Sequence, residues 1–353
     1  MGSACVRCSE PASETLCTAC AARLRALLAG RPGVRRSAQR ASLPPYGLAI
    51  VLTMALLGGL ARILIVTPEP GPPTASGVWQ VFAEQQFVSP LGMAADRDGN
   101  LFVVDAGTHR VFKLSPDGQL LATFGGRGTG AGQFERPSAV AVDAIGNLYI
   151  TDTANSRIQK LSSTGTPLAQ WGSLGTRPGQ FNGPRGVAVD REGNVYVGDT
   201  GNDRVQKLSP IGQTIAVWGR AGTGPGEFRQ PYGVALDGEG SVYIADHWNN
   251  RIQKVSPGGV VVAQWGSYGW TAGQFNNPRA VAVDSHGDVF VADSYNHRIQ
   301  KLSGSGLPVL EWGMRGGVAG QFRRPEGLVV DDHGGLVVVD SDNARLQRYV
   351  PTP

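Results

Sequence analysis

With 353 residues, 50 glycines, 23 prolines and only 7% aromatics, the chain can hold one large domain or two ordinary ones, and it reads as many short strands joined by tight turns. Its net charge of +4 is uneven: residues 1–77 carry eight arginines against Glu10, Glu14 and Glu69, leaving 24 basic and 25 acidic residues for the rest. A near-neutral main body argues against nucleic acid, whose binders present a basic face, and the confinement of all four cysteines to the first twenty positions excludes thiol chemistry from that body.

The chain opens with "CVRCSEPASETLCTAC", in which Cys5, Cys8, Cys17 and Cys20 form two C-x-x-C pairs. Each pair can fold a tight turn that offers two thiolates, and two such turns make a tetrahedral cage suited to Zn²⁺. The stretch resembles the short zinc ribbons that open many bacterial membrane proteins, over about 20 residues, although Ser9 and Ala21 stand where such ribbons often have glycine. Four free or disulfide-paired cysteines are the alternative, disfavoured in a cytosolic setting. Residues 1–30 are thus expected to form a zinc-ribbon-like segment with a short basic helix, and a filled site would be structural.

Residues 31–45 read as a basic linker and residues 46–66, "YGLAIVLTMALLGGLARILIV", as one transmembrane helix, apolar except for Arg62. Arginines crowd the near side of this run and only Glu69 follows it closely, so the positive-inside rule puts the N-terminus in the cytoplasm and the remainder outside. A buried core helix and a cleaved signal peptide are the competing readings. Residues 67–77, rich in proline, read as a stiff stalk.

From residue 78 the chain repeats at a period of 47. Asp96, Asp143, Asp190, Asp237, Asp284 and Asp331 keep that spacing, as do Asp105 through Asp340, Arg110 through Arg345, and Phe87 through Phe322 with a proline three residues on. All five lysines share one repeat position. In one unit, "RGVAVD" is a small-residue inner strand, "NVYVGD" a second, "RVQKL" a third and "QTIAVWG" a fourth. Four antiparallel strands per repeat without a helix describe a propeller blade. The sixth repeat lacks its fourth strand, and "VWQVF" at 78–82 is a spare one that can close the ring.

The pattern "GQFNGPRGVAVDREGNVYVGDTGNDRVQKL" resembles the NHL-repeat β-propeller family across residues 78–350. The resemblance implies an all-β, six-bladed propeller over residues 78–353. Its relatives include extracytoplasmic sensor domains of membrane kinases, RNA-binding domains of tripartite-motif proteins and the peptidyl-hydroxyglycine lyase of peptide amidation, so it constrains function weakly.

Six Asp/Arg pairs spaced by five residues, such as Asp152 and Arg157, are expected to be a structural frame, because a catalytic site needs asymmetry. Two sets of positions break the symmetry. One follows the repeated proline: Leu91, Ser138, Arg185, Tyr232, Arg279 and Glu326. The other lies between Asp and Asn, where blade 4 has His247-Trp248, blade 5 Ser294-Tyr295 and blade 6 Ser341-Asp342, while blades 1 and 2 are bland. Arginine and aromatic side chains are the usual anchors of binding surfaces. Arg185, Tyr232, His247, Trp248, Arg279 and Tyr295 are therefore the expected ligand-binding residues, with neutral drift on loops as the alternative. The expected function is a membrane-tethered, extracytoplasmic sensor or scaffold that binds a protein, peptide or glycan, with no cofactor in the propeller and no nucleic acid. The alternative is a lyase or hydrolase acting on a peptide or sugar.

Overall fold

The computed structural model describes residues 77–331 and 335–352. The zinc-ribbon-like segment, the basic linker, the apolar run 46–66 and nearly all of the stalk lie outside the described residues. Among those that are described, no helix is long and apolar enough to cross a membrane.

Among the described residues, twenty-four strands form six four-stranded antiparallel sheets; five run in chain order from the channel outward, and the sixth takes its outermost strand from the start of the propeller. Blade 3 shows the pattern, with strands Val187–Val189, Val195–Asp199, Arg204–Leu208 and Thr214–Trp218. The second strand of every blade is buried at all five positions, because it is sandwiched between the neighbouring sheets. Its β-branched and aromatic residues suit a strand that packs on both faces. The core is accordingly six clusters between blades rather than one centre; Tyr196, Phe228 and Ile244, for example, join blades 3 and 4.

Innermost strands approach backbone to backbone. A Cβ on Gly186 would lie 1.9 Å from the Tyr232 carbonyl oxygen, and one on Gly233 would lie 2.7 Å from that of Arg279. Glycine or alanine at this position draws the six strands around a narrow channel.

The ring closes through its ends. Strand Gly77–Phe82 pairs with Arg345–Pro351 and is the outer strand of blade 6, with Trp79 opposite Tyr349. The Trp79 ring meets Phe322 edge-on at 5.1 Å and Tyr349 at 5.3 Å, so an aromatic cluster as well as a hydrogen-bond ladder seals the seam.

The Asp/Arg frame is an ion pair in five blades. In blade 2, Arg157 Nε donates to Asp152 Oδ2 at 2.7 Å, and its other nitrogens donate to the carbonyls of Thr129, Gly130 and Gln133 in the loop from blade 1. Blade 1 departs from this expectation. Asp105 accepts from the backbone of Val88, Gly107 and Thr108, while Arg110 is exposed and makes no ion pair among the described residues. The cause is the approach to blade 1, where residues 83–86 are too short to supply the loop carbonyls that hold the other five arginines. The five lysines have a structural role on the opposite side of blades 1 to 5. Lys160 Nζ sits 4.9 Å over the Tyr149 ring and 4.0 Å from Asp143, and the other four repeat this geometry.

Candidate ligand site at the channel mouth

The loops between blades and those joining second to third strands share one face. Asn155 Nδ2, for example, donates from one type of loop to the Gly128 carbonyl of the other at 2.9 Å. On this face the six residues after the repeated prolines ring the channel, and all six line both the channel itself, about 90 Å³, and a wider mouth cavity of about 460 Å³. The mouth lies within the size range of ordinary ligand sites.

Arg185 enters the ring at the start of the innermost strand of blade 3. Its N–H donates to the Gly198 carbonyl at 3.0 Å, and its carbonyl accepts from the Thr151 hydroxyl of blade 2 at 2.9 Å. Its guanidinium lies 4.6 Å over the Tyr232 ring. Arg279 approaches the same ring at 5.3 Å and Tyr295 at 5.6 Å. Beneath Tyr232 lies the His247 imidazole, stacked with ring centres 4.1 Å apart.

His247 is only 3% exposed. Its Nδ1 faces the Pro278 carbonyl at 3.2 Å, and because a carbonyl only accepts, the proton is on Nδ1. Nε2 then accepts from the Asn277 side-chain amide at 3.3 Å. Burial first, then the Arg279 and Arg185 guanidiniums, push its pKa down to about 3, so the ring is neutral near pH 7. Thr153 and Thr200 make the same link to the next blade, each donating 2.7 Å to the carbonyl of Pro184 or Pro231. His247 therefore belongs to the frame and supports Tyr232 from below, whereas the sequence alone placed it among residues that the frame does not need.

Two other expected residues stand apart from the cavity. Trp248 is 56% exposed and Tyr295 48% exposed, and neither lines the mouth, although Tyr295 reaches Arg279. The structure thus brings together Arg185, Tyr232 and Arg279, places His247 under them, and leaves Trp248 on the outer loop surface.

Sequence reasoning missed the other half of the cavity. Ser89, Ala106, Thr153 and Ala154 of blades 1 and 2, bland in sequence, line its open side together with Arg136 and Arg324. Small residues there create the space. A weak signal existed for the arginines, since both directly precede the repeated proline.

The mouth is cationic. Arg136, Arg185, Arg279 and Arg324 line it against one carboxylate, Glu326. Glu326 is buried and pairs with Arg279 and with Arg324 Nε at 2.8 Å; Arg324 also reaches Asp342 at 3.0 Å. Arg136 and Arg185 make no ion pair among the described residues. Arg279 Nε is buried without a hydrogen-bond partner. Such a rim, with two unpaired guanidinium forks, is suited to carboxylates or phosphates.

A family model described as NHL repeat matches residues 87–114, 134–161, 181–208, 228–255, 275–302 and 322–349. Among solved structures, a gluconolactonase from Xanthomonas campestris superposes with a TM-score of 0.58 at 16% identity, covering 82% of this chain and 99% of that one. A catalytically inactive virginiamycin B lyase from Staphylococcus aureus gives 0.56 at 12% identity, with 78% and 100% covered. A streptogramin B lyase gives 0.56 at 14% identity, with 78% and 98% covered. At these identities the likeness shows the fold alone. No curated protein matches the sequence significantly.

Proposed function

We propose that this chain, which belongs to the NHL repeat family by its six matched repeats, is a binding module whose channel mouth captures an anionic ligand. The observation that carries the reading is the convergence of four arginines on one cavity with a single, already paired carboxylate. Like-charged groups held together repel, and an incoming anion relieves that repulsion while finding two guanidinium forks without partners.

Catalysis is the second reading, because the neighbours named above include lyases and a lactonase. It is less well supported by the residues at the mouth. Glu326 is tied between two arginines, and both nitrogens of His247 are engaged. Among the described residues, no group of three His, Cys, Asp or Glu side chains could hold a metal ion.

The proposal includes the setting read from sequence. Residues 46–66 anchor the chain as a single-pass helix with the N-terminus cytoplasmic, and Cys5, Cys8, Cys17 and Cys20 hold one structural Zn²⁺. The arginine crowding before residue 46 and the paired C-x-x-C spacing support this. Protease added to intact cells should release the propeller, and metal analysis of the reduced full chain should find about one zinc equivalent.

The binding reading is tested by melting the full-length chain in rising concentrations of glutarate or inorganic phosphate at low ionic strength. A ligand that binds only the folded state raises Tm by mass action. The expected result is a rise that disappears in Arg185→Gln. No rise with either anion would sink the reading.

A further inference from the structure

The mouth cavity has a second opening. A groove of about 400 Å³ adjoins it, sharing Ser89, Ala106 and Arg136 and adding Gly107, His109, Arg127 and Glu135. Its course is radial. Ser89 directly precedes the innermost strand of blade 1, Pro90–Ala95, while Arg127 lies two residues beyond the outermost, Leu120–Gly125. The groove therefore leads from the channel mouth to the rim between blades 1 and 2. It opens there because blade 1 has Ala106-Gly107 where blades 4 and 5 have His247-Trp248 and Ser294-Tyr295.

The walls keep the cationic character of the mouth. Arg136 is exposed and without an ion pair among the described residues. Arg127 is 75% exposed in its side chain and engages Glu135 only through Nε, at 3.0 Å, which leaves both terminal nitrogens for an incoming group. His109 is committed to the fold, since its Nδ1 accepts the Arg136 N–H at 3.0 Å.

Resting on the mouth being the ligand site, we propose that its occupant is an extended acidic polypeptide segment, with one end in the mouth and its continuation along this groove to the rim. A compact anion would use only the mouth, whereas a linear chain uses both. A peptide is favoured over an acidic glycan by the state of the aromatic rings. Among the described residues, Tyr232 is the only Phe, Tyr or Trp lining the mouth or groove; His247 stacks on its ring and two guanidiniums approach it. No free aromatic face remains there to pack against a sugar ring, while carboxylate side chains find guanidinium forks along the whole path.

The experiment titrates the full-length chain with labelled oligoglutamates of about three and about ten residues, which extended reach roughly 10 and 35 Å, at low ionic strength. The longer peptide is expected to bind at least tenfold more tightly. Arg127→Glu should remove that advantage while leaving the short peptide unaffected, and Arg185→Gln should weaken both. The arginine-rich leader is common to all three proteins, so comparison among them isolates the propeller. Equal affinity for the two lengths would overturn the groove and leave the mouth site standing. Binding of an oligouronate but of neither peptide would overturn the partner class. If no polyanion binds in an Arg185-dependent way, the groove and the mouth reading both fall.

Discussion

The His247 imidazole donates from Nδ1 to the Pro278 carbonyl of the next blade and stacks under the Tyr232 ring 4.1 Å away. One side chain thus ties two blades together and supports a residue of the mouth cavity. Its pKa of about 3 lies well below the ordinary 6.5, so the two states of the protein differ in proton uptake between those values. Above pH 6.5 the ring is neutral folded or unfolded, and its contribution is complete. Below 6.5 the unfolded chain takes up a proton first, and stability declines until about pH 3. His247→Thr, with the residue that blades 2 and 3 use, keeps the interblade link without the titration. Relative to that variant, the wild type should lose up to about 1.4 kcal/mol per pH unit in this window, read from denaturant midpoints. Parallel pH profiles for the two proteins would refute the assignment.

This residue also shows what the sequence could and could not convey. Thr153, Thr200, His247, Ser294 and Ser341 occupy one repeat position, and every one carries a side-chain donor. That chemistry was visible but masked by the difference in size between histidine and serine. The ring of Leu91, Ser138, Arg185, Tyr232, Arg279 and Glu326 was fully legible, because a 47-residue period aligns positions without needing coordinates. Cavity volume was not. It comes from what Ala106, Thr153 and Ala154 leave empty, and a small residue has no signature of its own. The position of Trp248 outside the cavity was hidden too, since repeat spacing does not give the direction in which a side chain leaves a one-turn loop such as His247–Asn249.

The frame predicts two very different outcomes for two arginines at one repeat position. Arg157 pairs with a fully buried Asp152 and satisfies three loop carbonyls, so Arg157→Ala leaves a buried charge and several acceptors without partners. A loss of about 3–5 kcal/mol is expected. Arg110 is exposed and makes no ion pair among the described residues, so Arg110→Ala should stay within about 0.5 kcal/mol of wild type. Similar melting temperatures for the two variants would show that the blade 2 network adds little.

Closure depends on a strand from the far end of the propeller sequence. Gly77–Phe82 contributes Trp79 to a cluster with Phe322 and Tyr349, and it covers the edge of Arg345–Pro351. Removing residues 77–82 should expose that edge and an aromatic face together, giving a lower melting temperature and concentration-dependent association by light scattering. Trp79→Ala keeps the backbone ladder and removes only the ring, so it should destabilise without association. A deletion that melts like the wild type would mean the ring does not rely on this strand.

The last prediction concerns the ion pair that restrains the mouth. Glu326 is buried and shared between Arg279 and Arg324, and among the described residues it is the only carboxylate lining the cavity. Glu326→Gln removes the negative charge at nearly constant shape. Three consequences follow from that one change. Arg279 loses its neutralising partner in a poorly solvated place, while Arg324 keeps Asp342, so the folded state should be destabilised by about 3–5 kcal/mol. The field in the mouth becomes more positive, so an anion that enters should be held more tightly. Stability and binding should therefore move in opposite directions, and inorganic phosphate should raise the melting temperature of the variant by more than it raises that of the wild type. Melting curves with and without phosphate, at low and high ionic strength, would show both effects, with the added rise shrinking as salt screens the site. Equal phosphate-induced shifts in the two proteins would place anion binding somewhere other than between Arg185, Arg279 and Arg324.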